Sequence, residues 1–309
     1  MTIANPHNAY GVTINEIVLG GVISCGCPMN TEVRGVQTDG NVYGRFQSMF
    51  SQAPTPTFTT HSVAAALAIA GVEGLKLDST STLTLFAQHR AQGSTRVSTN
   101  THQSFVVTNG ILVPTSISVS QDGDATISYV ATAIYDGTNE TVIITGAATL
   151  PATTDAERFG IGKCWIEDIA ISNITNITID FGINVGTLFA DGDVRPTFSS
   201  IDSISSTISI TTIDPTQTIT SIPIAGLLGT KANTSIFLRK RELGNKYYAD
   251  NTSNHLKFVA SGMITTQDAF SASGTAVGET TYILTAYDDG TNTPITVTPA
   301  QVIVTPSPA

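Results

Sequence analysis

The chain has 309 residues, a net charge of −10, 41% hydrophobic residues and 12% charged ones, where an ordinary soluble domain carries about 25% charged. That length and apolar content exclude a disordered chain. The acidic balance excludes a general attraction to nucleic acid or anionic lipid, both of which depend on Lys and Arg. Ser and Thr make up roughly a quarter of the sequence; β-branched Thr keeps a surface wet without charge and favours strands, so the composition points to an all-β fold.

The opening stretch MTIANPHNAYGVTINE has neither the basic start nor the apolar run of a secretory signal. The chain is therefore expected to be made and assembled in a cytoplasm. Cys25 and Cys27, separated by Gly26, and the distant Cys164 form no disulfide framework and supply too few ligands for structural zinc. The longest uncharged apolar run, Val63 to Val72, is about half of the ~20 residues that cross a bilayer, so no membrane anchor is expected.

Self-similarity organises the rest. Ile14-Asn15-Glu16-Ile17 matches Ile166-Glu167-Asp168-Ile169, and Asp39-Gly40-Asn41-Val42 matches Asp191-Gly192-Asp193-Val194, both 152 residues apart. Pro56-Thr57-Phe58 matches Pro196-Thr197-Phe198 at an offset of 140, implying about a dozen extra residues in the first copy. Ile69-Ala70-Gly71 pairs with Ile224-Ala225-Gly226, and Leu85 to Arg90 with Phe237 to Arg241, arginines aligned. His102 with Phe105-Val106 pairs with His255 with Phe258-Val259, and Asp136-Gly137-Thr138-Asn139 recurs as Asp289-Gly290-Thr291-Asn292, both at an offset of 153. The order of these landmarks predicts a tandem duplication: a first β domain over 1–150, a linker over 151–165 and a second β domain over 166–309.

Strands are predicted wherever apolar or β-branched residues alternate: Ile117–Ser120, Thr126–Ala133, Thr141–Thr145, Ile174–Phe181, Ile204–Ile213, Phe237–Arg241 and Thr280–Ala286. Asp122-Gly123 and both DGTN segments read as hairpin turns between such runs. One short helix per copy is expected. In the first, His61-Ser62 precedes Val63–Ala70 and Gly71 or Gly74 ends it; in the second, Thr218–Leu228 contains Pro223 and should be shorter or absent. Each copy is then a β-sandwich or bent sheet with one helix packed on it.

No motif carries catalysis. His7 lies in the N-terminal tail, His61 at a helix start, and His89 stands where the second copy has Lys240, while His102 and His255 match as shared packing positions. Asp122-Gly123-Asp124, Asp191-Gly192-Asp193 and Asp288-Asp289-Gly290 lack the twelve-residue spacing of a calcium loop and read as turns. The chain is read as a non-enzyme with no cofactor and no metal. Arg239-Lys240-Arg241, with Lys246 and Lys257, is the one basic concentration, either an edge guarded against aggregation or a subunit contact. Gly35 to Pro56 holds Tyr43, Phe46, Met49 and Phe50, aromatic and apolar side chains that either cover their own sandwich or form a contact arm.

The twin pattern of a DGNV or DGDV segment, PTF, a short Ala/Gly helix, a strand ending in LFAQHRAQG or FLRKRELG, and a closing YDGTN or YDDGTN resembles the tail tube proteins of long-tailed bacteriophages, in duplicated form. The resemblance spans nearly the whole chain. It implies two tandem β-sandwich domains, each with a flanking helix, whose inner sheets join around a channel. It also implies homo-oligomeric rings, trimers with pseudo-six-fold symmetry, stacked into a virion tail tube together with other tail proteins. DNA would pass through without specific binding. Both copies are acidic, so the channel wall is expected to carry more Asp and Glu than Lys and Arg. A baseplate hub, a capsid decoration protein and a carbohydrate-binding or adhesin module are the rival readings; the last is weakened by a single Trp, Trp165, in the linker.

Overall fold

The computed structural model describes residues 6–304 apart from 38–41, 43–45, 91–100, 153–154, 167–168, 191, 215–230, 243, 245–246, 275–277 and 289–292. Its first half contains β1 (His7–Ile14), β2 (Ile17–Leu19), β3 (Val22–Gly26), β4 (Thr31–Val36), β5 (Phe46–Gln52), β6 (Thr57–Thr60), α1 (Val63–Ala70), β7 (Leu75–Leu77), β8 (Leu83–His89), β9 (His102–Val107), β10 (Gly110–Ser120), β11 (Thr126–Ala133) and β12 (Ile143–Ala148). The second half contains β13 (Phe159–Ile166), β14 (Ile169–Ile171), β15 (Ile174–Asp180), β16 (Ile183–Leu188), β17 (Phe198–Ile204), β18 (Thr207–Thr212), β19 (Lys231–Lys240), β20 (His255–Ser271), β21 (Glu279–Ala286) and β22 (Ile295–Gln301). The chain is all-β, built from large antiparallel sheets, with α1 the one helix among the described residues.

Strand pairing repeats between the halves. In the first, β12-β9-β8-β1-β2 form one sheet and β10-β11-β6-β3 lie consecutively in another. In the second, β22, β20, β19, β13 and β14 pair in the corresponding order, followed by β20-β21-β18-β15. The difference is one long strand. β9 and β10 are separate in the first half, whereas β20 runs unbroken through both layers and so merges them into a single thirteen-stranded sheet.

Period-two alternation explains why these sheets pack. Along one cross-strand row, Ile127, Ile117, Ile179, Ile208, Leu284 and Ile264 face inward, and all are buried. The neighbouring row turns outward and reads Thr126, Ser118, Thr178, Ser209, Ile283 and Thr265. Thr serves this pattern because its branched Cβ suits the pleat while its hydroxyl finds a cross-strand partner. Thr59 and Ser128 share a hydrogen bond of 3.0 Å, and Thr211 and Thr281 share one of 3.1 Å in the corresponding place. Most buried apolar residues of both halves form one contiguous core, with Trp165, Phe237 and Ile303 in a small cluster of their own.

Helix α1 starts after Ser62 and stops at Gly71, whose positive φ of 69° lets the chain leave the helix while its N–H donates to Leu67 O. Val63, Ala66, Leu67 and Ala70, the i, i+3, i+4, i+7 face, are buried. The Ser62 hydroxyl does not cap the helix; it donates to Gly20 O at 2.9 Å and ties the helix start to the turn before β3. The second-copy stretch Thr218–Leu228 lies outside the described residues.

Five sequence expectations change. The PTF match is coincidental: Phe58 pairs Tyr129 whereas Ile210 pairs Tyr282, so Ile210, 152 residues on, is the counterpart of Phe58. Phe198 instead begins β17, the counterpart of β5, which begins at Phe46. No dozen residues are inserted, because hairpins β4–β5 and β16–β17 have matching strand lengths and a bulge at the same register. Asp136–Asn139 is no hairpin turn: β11 pairs β10 and β6 while β12 pairs β9, so this segment crosses between layers. Residues 289–292 lie outside the described residues. The joining segment is shorter than expected, since β13 begins at Phe159 and Trp165 lies within it, buried edge-on against Phe237. Finally, His7 sits in β1 opposite His89, their rings 5.3 Å apart, rather than in a tail.

Candidate functional site

The two halves are joined by a strand ladder. β15 of the second half lies antiparallel against β10 of the first, with Ser116 opposite Asp180, Ile117 opposite Ile179, Ser118 opposite Thr178, Val119 opposite Ile177 and Ser120 opposite Asn176. Phe181 N–H donates to Thr115 O at one end and Gln121 N–H to Thr175 O at the other. One sheet therefore runs β20-β21-β18-β15-β10-β11-β6-β3 and ends at β3, which among the described residues pairs only with β6.

The ladder is clamped at both margins. At one, Asp124 in the β10–β11 turn meets Arg241 at 3.0 Å and Arg158 at 3.4 Å, and Ala125 N–H donates to Phe159 O. At the other, the β16–β17 loop reaches back to the first half: Val194 O accepts from Gln52 N–H, Pro196 O accepts from Tyr135 N–H, and Arg195 lies over the Tyr135 ring and pairs with Glu140 at 2.7 Å.

The basic cluster belongs to this clamp and to its own half. Arg239 pairs with Asp250 at 3.1 Å, Lys240 with Glu157 at 2.5 Å, and Arg241 with Asp124. The ring of Tyr247 lies under Arg239 and Arg241. Through Arg241 and Asp124 a positive group of one half faces an acidic group of the other within one chain. Lys246 lies outside the described residues, and Lys257 sits over the Phe237 ring.

No family model matches the chain, and no curated protein matches it in sequence.

The hairpins are the second feature. Among the described residues neither β4–β5 nor β16–β17 joins a larger sheet, and both expose apolar side chains: Val33 at 60%, Met49 at 44% and Phe50 at 50%, then Leu188 at 63% and Phe198 at 53%. Arg34 covers one face of the Phe50 ring at 3.3 Å. The structure places Met49 and Phe50 on one hairpin strand, β5, and Arg239 and Lys240 on β19. Phe46 opens β5, and Tyr43 lies outside the described residues.

Several of the remaining polar residues read in the sequence have structural partners. His102 and His255 are buried, and His61 Nδ1 lies 3.1 Å from Ala125 O. Asp193 Oδ1 accepts from Arg195 N–H. Asp136 accepts hydrogen bonds from Asn139 and Thr138, which lower its pKa to about 2. Burial raises the pKa of the Cys25, Cys27 and Cys164 thiols, all unpaired. Among the described residues no group of three or more His, Cys, Asp and Glu side chains could hold a metal ion. What sequence reasoning missed was the β10–β15 ladder and the open β3 edge; the constant offset of 152 through β3, β4 and β5 was the available signal.

Proposed function

We propose that the protein is a structural subunit that polymerises head to tail, in the manner of a phage tail tube protein, into rings that stack around a channel for DNA. The β10–β15 ladder carries this reading. Two similar four-strand units are already joined in one chain by laying an edge strand of one beside the end strand of the other. That contact is heterologous, and a heterologous contact repeated from chain to chain closes into a ring if its rotation permits. Three chains would supply six such units. The open β3 edge needs a partner, because an exposed row of N–H and C=O groups is otherwise a template for uncontrolled pairing.

The uncovered face of the shared sheet suits a channel wall. Its row Ser24, Thr59, Ser128, Ser116, Asp180, Thr207, Thr285 and Met263, which continues to Lys231 of β19, contains two charged residues of opposite sign, Asp180 and Lys231, and the row through Ser118 and Thr178 contains none. The net charge led to an expectation of a carboxylate-rich wall; these rows offer hydroxyls instead. The physical result for DNA is similar. A wall with so few Lys and Arg releases few counterions from the phosphate backbone and so holds it weakly. The exposed apolar side chains of the two hairpins would be covered by further copies, as contiguous exposed apolar surface generally is.

Negative-stain microscopy of the purified protein tests the reading. Rings or tubes with a central hole are the expected result; a monomer at all accessible concentrations overturns it.

A further inference from the structure

The second half shows what β3 lacks. β15 and β3 occupy the same place in their halves: each pairs with the matching strand, β18 or β6, with a bulge at the same register, between Ile174 and Asn176 and between Val22 and Ser24. β15 is also covered by β10, and its inward side chains Ile177 and Ile179 are 1% and 0% exposed. Their counterparts 152 residues earlier, Cys25 and Cys27, are only half-buried, and Ile23 beside them is 51% exposed. The inward face of β3 is thus a core surface with one strand missing.

The strand that could supply it is also identifiable. β20 is the counterpart of β10, and among the described residues its last residues pair β21 on one side only: Asp268 stands opposite Thr281 and Ser271 opposite Glu279. In the first half Ser116 stands opposite Ser128 and Ser118 opposite Thr126. Thr281 and Glu279 correspond to Ser128 and Thr126, so Asp268 matches Ser116 and, past a one-residue bulge, Ser271 matches Ser118. Ser271 and the following Ala272, Ser273 and Gly274 are exposed. β3 and β20 stand at opposite ends of the eight-strand order, so these two open edges meet only between chains.

We propose that the end of β20 in one chain lies antiparallel along β3 of the next chain, in the register of the internal ladder. Ser271 then faces Gly26, as Ser118 faces Thr178. Ala272 faces Cys25, as Val119 faces Ile177, and Ser273 faces Ser24, as Ser120 faces Asn176. The partner is a second copy of this chain, and the joint rests on the self-assembly reading above. It differs from the internal joint in size: Ala272 and Cys25 replace Val119 and Ile177, so less apolar surface seals it, and the joint between chains is the weaker of the two.

Oxidative cross-linking reads the register. A272C, carrying the native Cys25, is expected to give interchain species that disappear on reduction, and peptide mapping should link positions 25 and 272. A272C/C25A should give none of that link. A second variant, G26C/S271C with C25A and C27A, places both thiols at a closely spaced non-hydrogen-bonded pair and should also cross-link between chains. Rings of the wild-type protein seen by microscopy, combined with no link in either variant or with links at other positions, would overturn this joint and leave self-assembly standing. Wild-type protein that stays monomeric would remove both.

Discussion

His102 and His255 hold the same post in the two halves: each accepts a backbone N–H on Nδ1 at 3.1 Å, from His89 and from Lys240 respectively. Each closes the edge of the layer in which β8 or β19 pairs with the strand that the histidine begins. At His255 the second ring nitrogen lies 3.1 Å from Ala249 O, so the neutral ring carries its proton on Nε2. Replacing His255 with Ala strands a buried N–H, at a cost of about 1–3 kcal/mol. H102A should act in the same direction with a smaller effect, having one such bond. Thermal unfolding of the two variants checks the order, and a variant as stable as the wild type would show that the shared histidine is incidental.

Gly110 and Gly262 are also counterparts. A Cβ on Gly110 would sit 2.0 Å from Thr132 O, and one on Gly262 would sit 2.1 Å from Thr285 O. Both obstacles are backbone carbonyls, which cannot swing aside. Gly110 additionally has a φ of +139°. G110A and G262A should therefore each destabilise by at least the ~1–3 kcal/mol typical of overpacking, with G110A the worse. Denaturant midpoints provide the measurement.

These pairs show which parts of the structure were legible in the sequence. The alternation in Thr126–Ala133 marked β11, and the run Val63–Ala70 marked α1, because both are set by local periodicity and short-range turn chemistry. The histidine match was legible too, as equal spacing from a common offset. The PTF match misled because three letters outweighed an offset already established on both sides of them. The DGTN segment misled because Asp-Gly chemistry describes a turn and does not say whether the strands it joins will pair. The β10–β15 ladder had no local signature: its strands are apolar on alternate residues like any others, and only pairing across distant sequence makes one an edge and the other a joint.

Two carboxylates set an acid limit. Asp136, held at about 2 by bonds from Asn139 and Thr138, stabilises its turn fully above the ordinary value of 3.8, and that contribution fades as pH falls towards 2. For Asp250, burial works to raise the pKa, but the Lys163 hydrogen bond and the charges of Arg239 and Lys163 outweigh it and leave it lowered. The sign is the same: stability is present above the unfolded value and lost as pH falls through the folded one. Melting temperatures between pH 6 and pH 2 should drop below about pH 4, and D136N together with D250N should flatten that drop while lowering stability at neutral pH.

The exposed hairpin predicts a separation of folding from stacking. V33T, M49T and F50T change side chains that belong to neither large sheet, so far-UV circular dichroism and melting temperature should stay close to wild type. Assembled material should shift from long tubes towards single rings or short stacks in electron micrographs. Loss of the folded state in these variants would instead place the hairpin within the protein's own core.

The hydroxyl rows make the last prediction, about the proposed channel. Ser118 and Thr178 are opposite each other on the uncovered face of the sheet, at the joint between the halves. Lysine there has solvent to enter, so S118K/T178K should fold and assemble. In a three-chain ring the two substitutions add six positive charges to a wall that otherwise offers hydroxyls. Each phosphate neutralised contributes about −0.9 to the slope of log K against log salt for duplex DNA. Wild-type tubes should therefore show little retention of short duplexes at any salt, whereas the variant should retain them at low salt and release them steeply as salt rises. Tubes of both proteins that bind DNA equally would mean that this face points away from the channel.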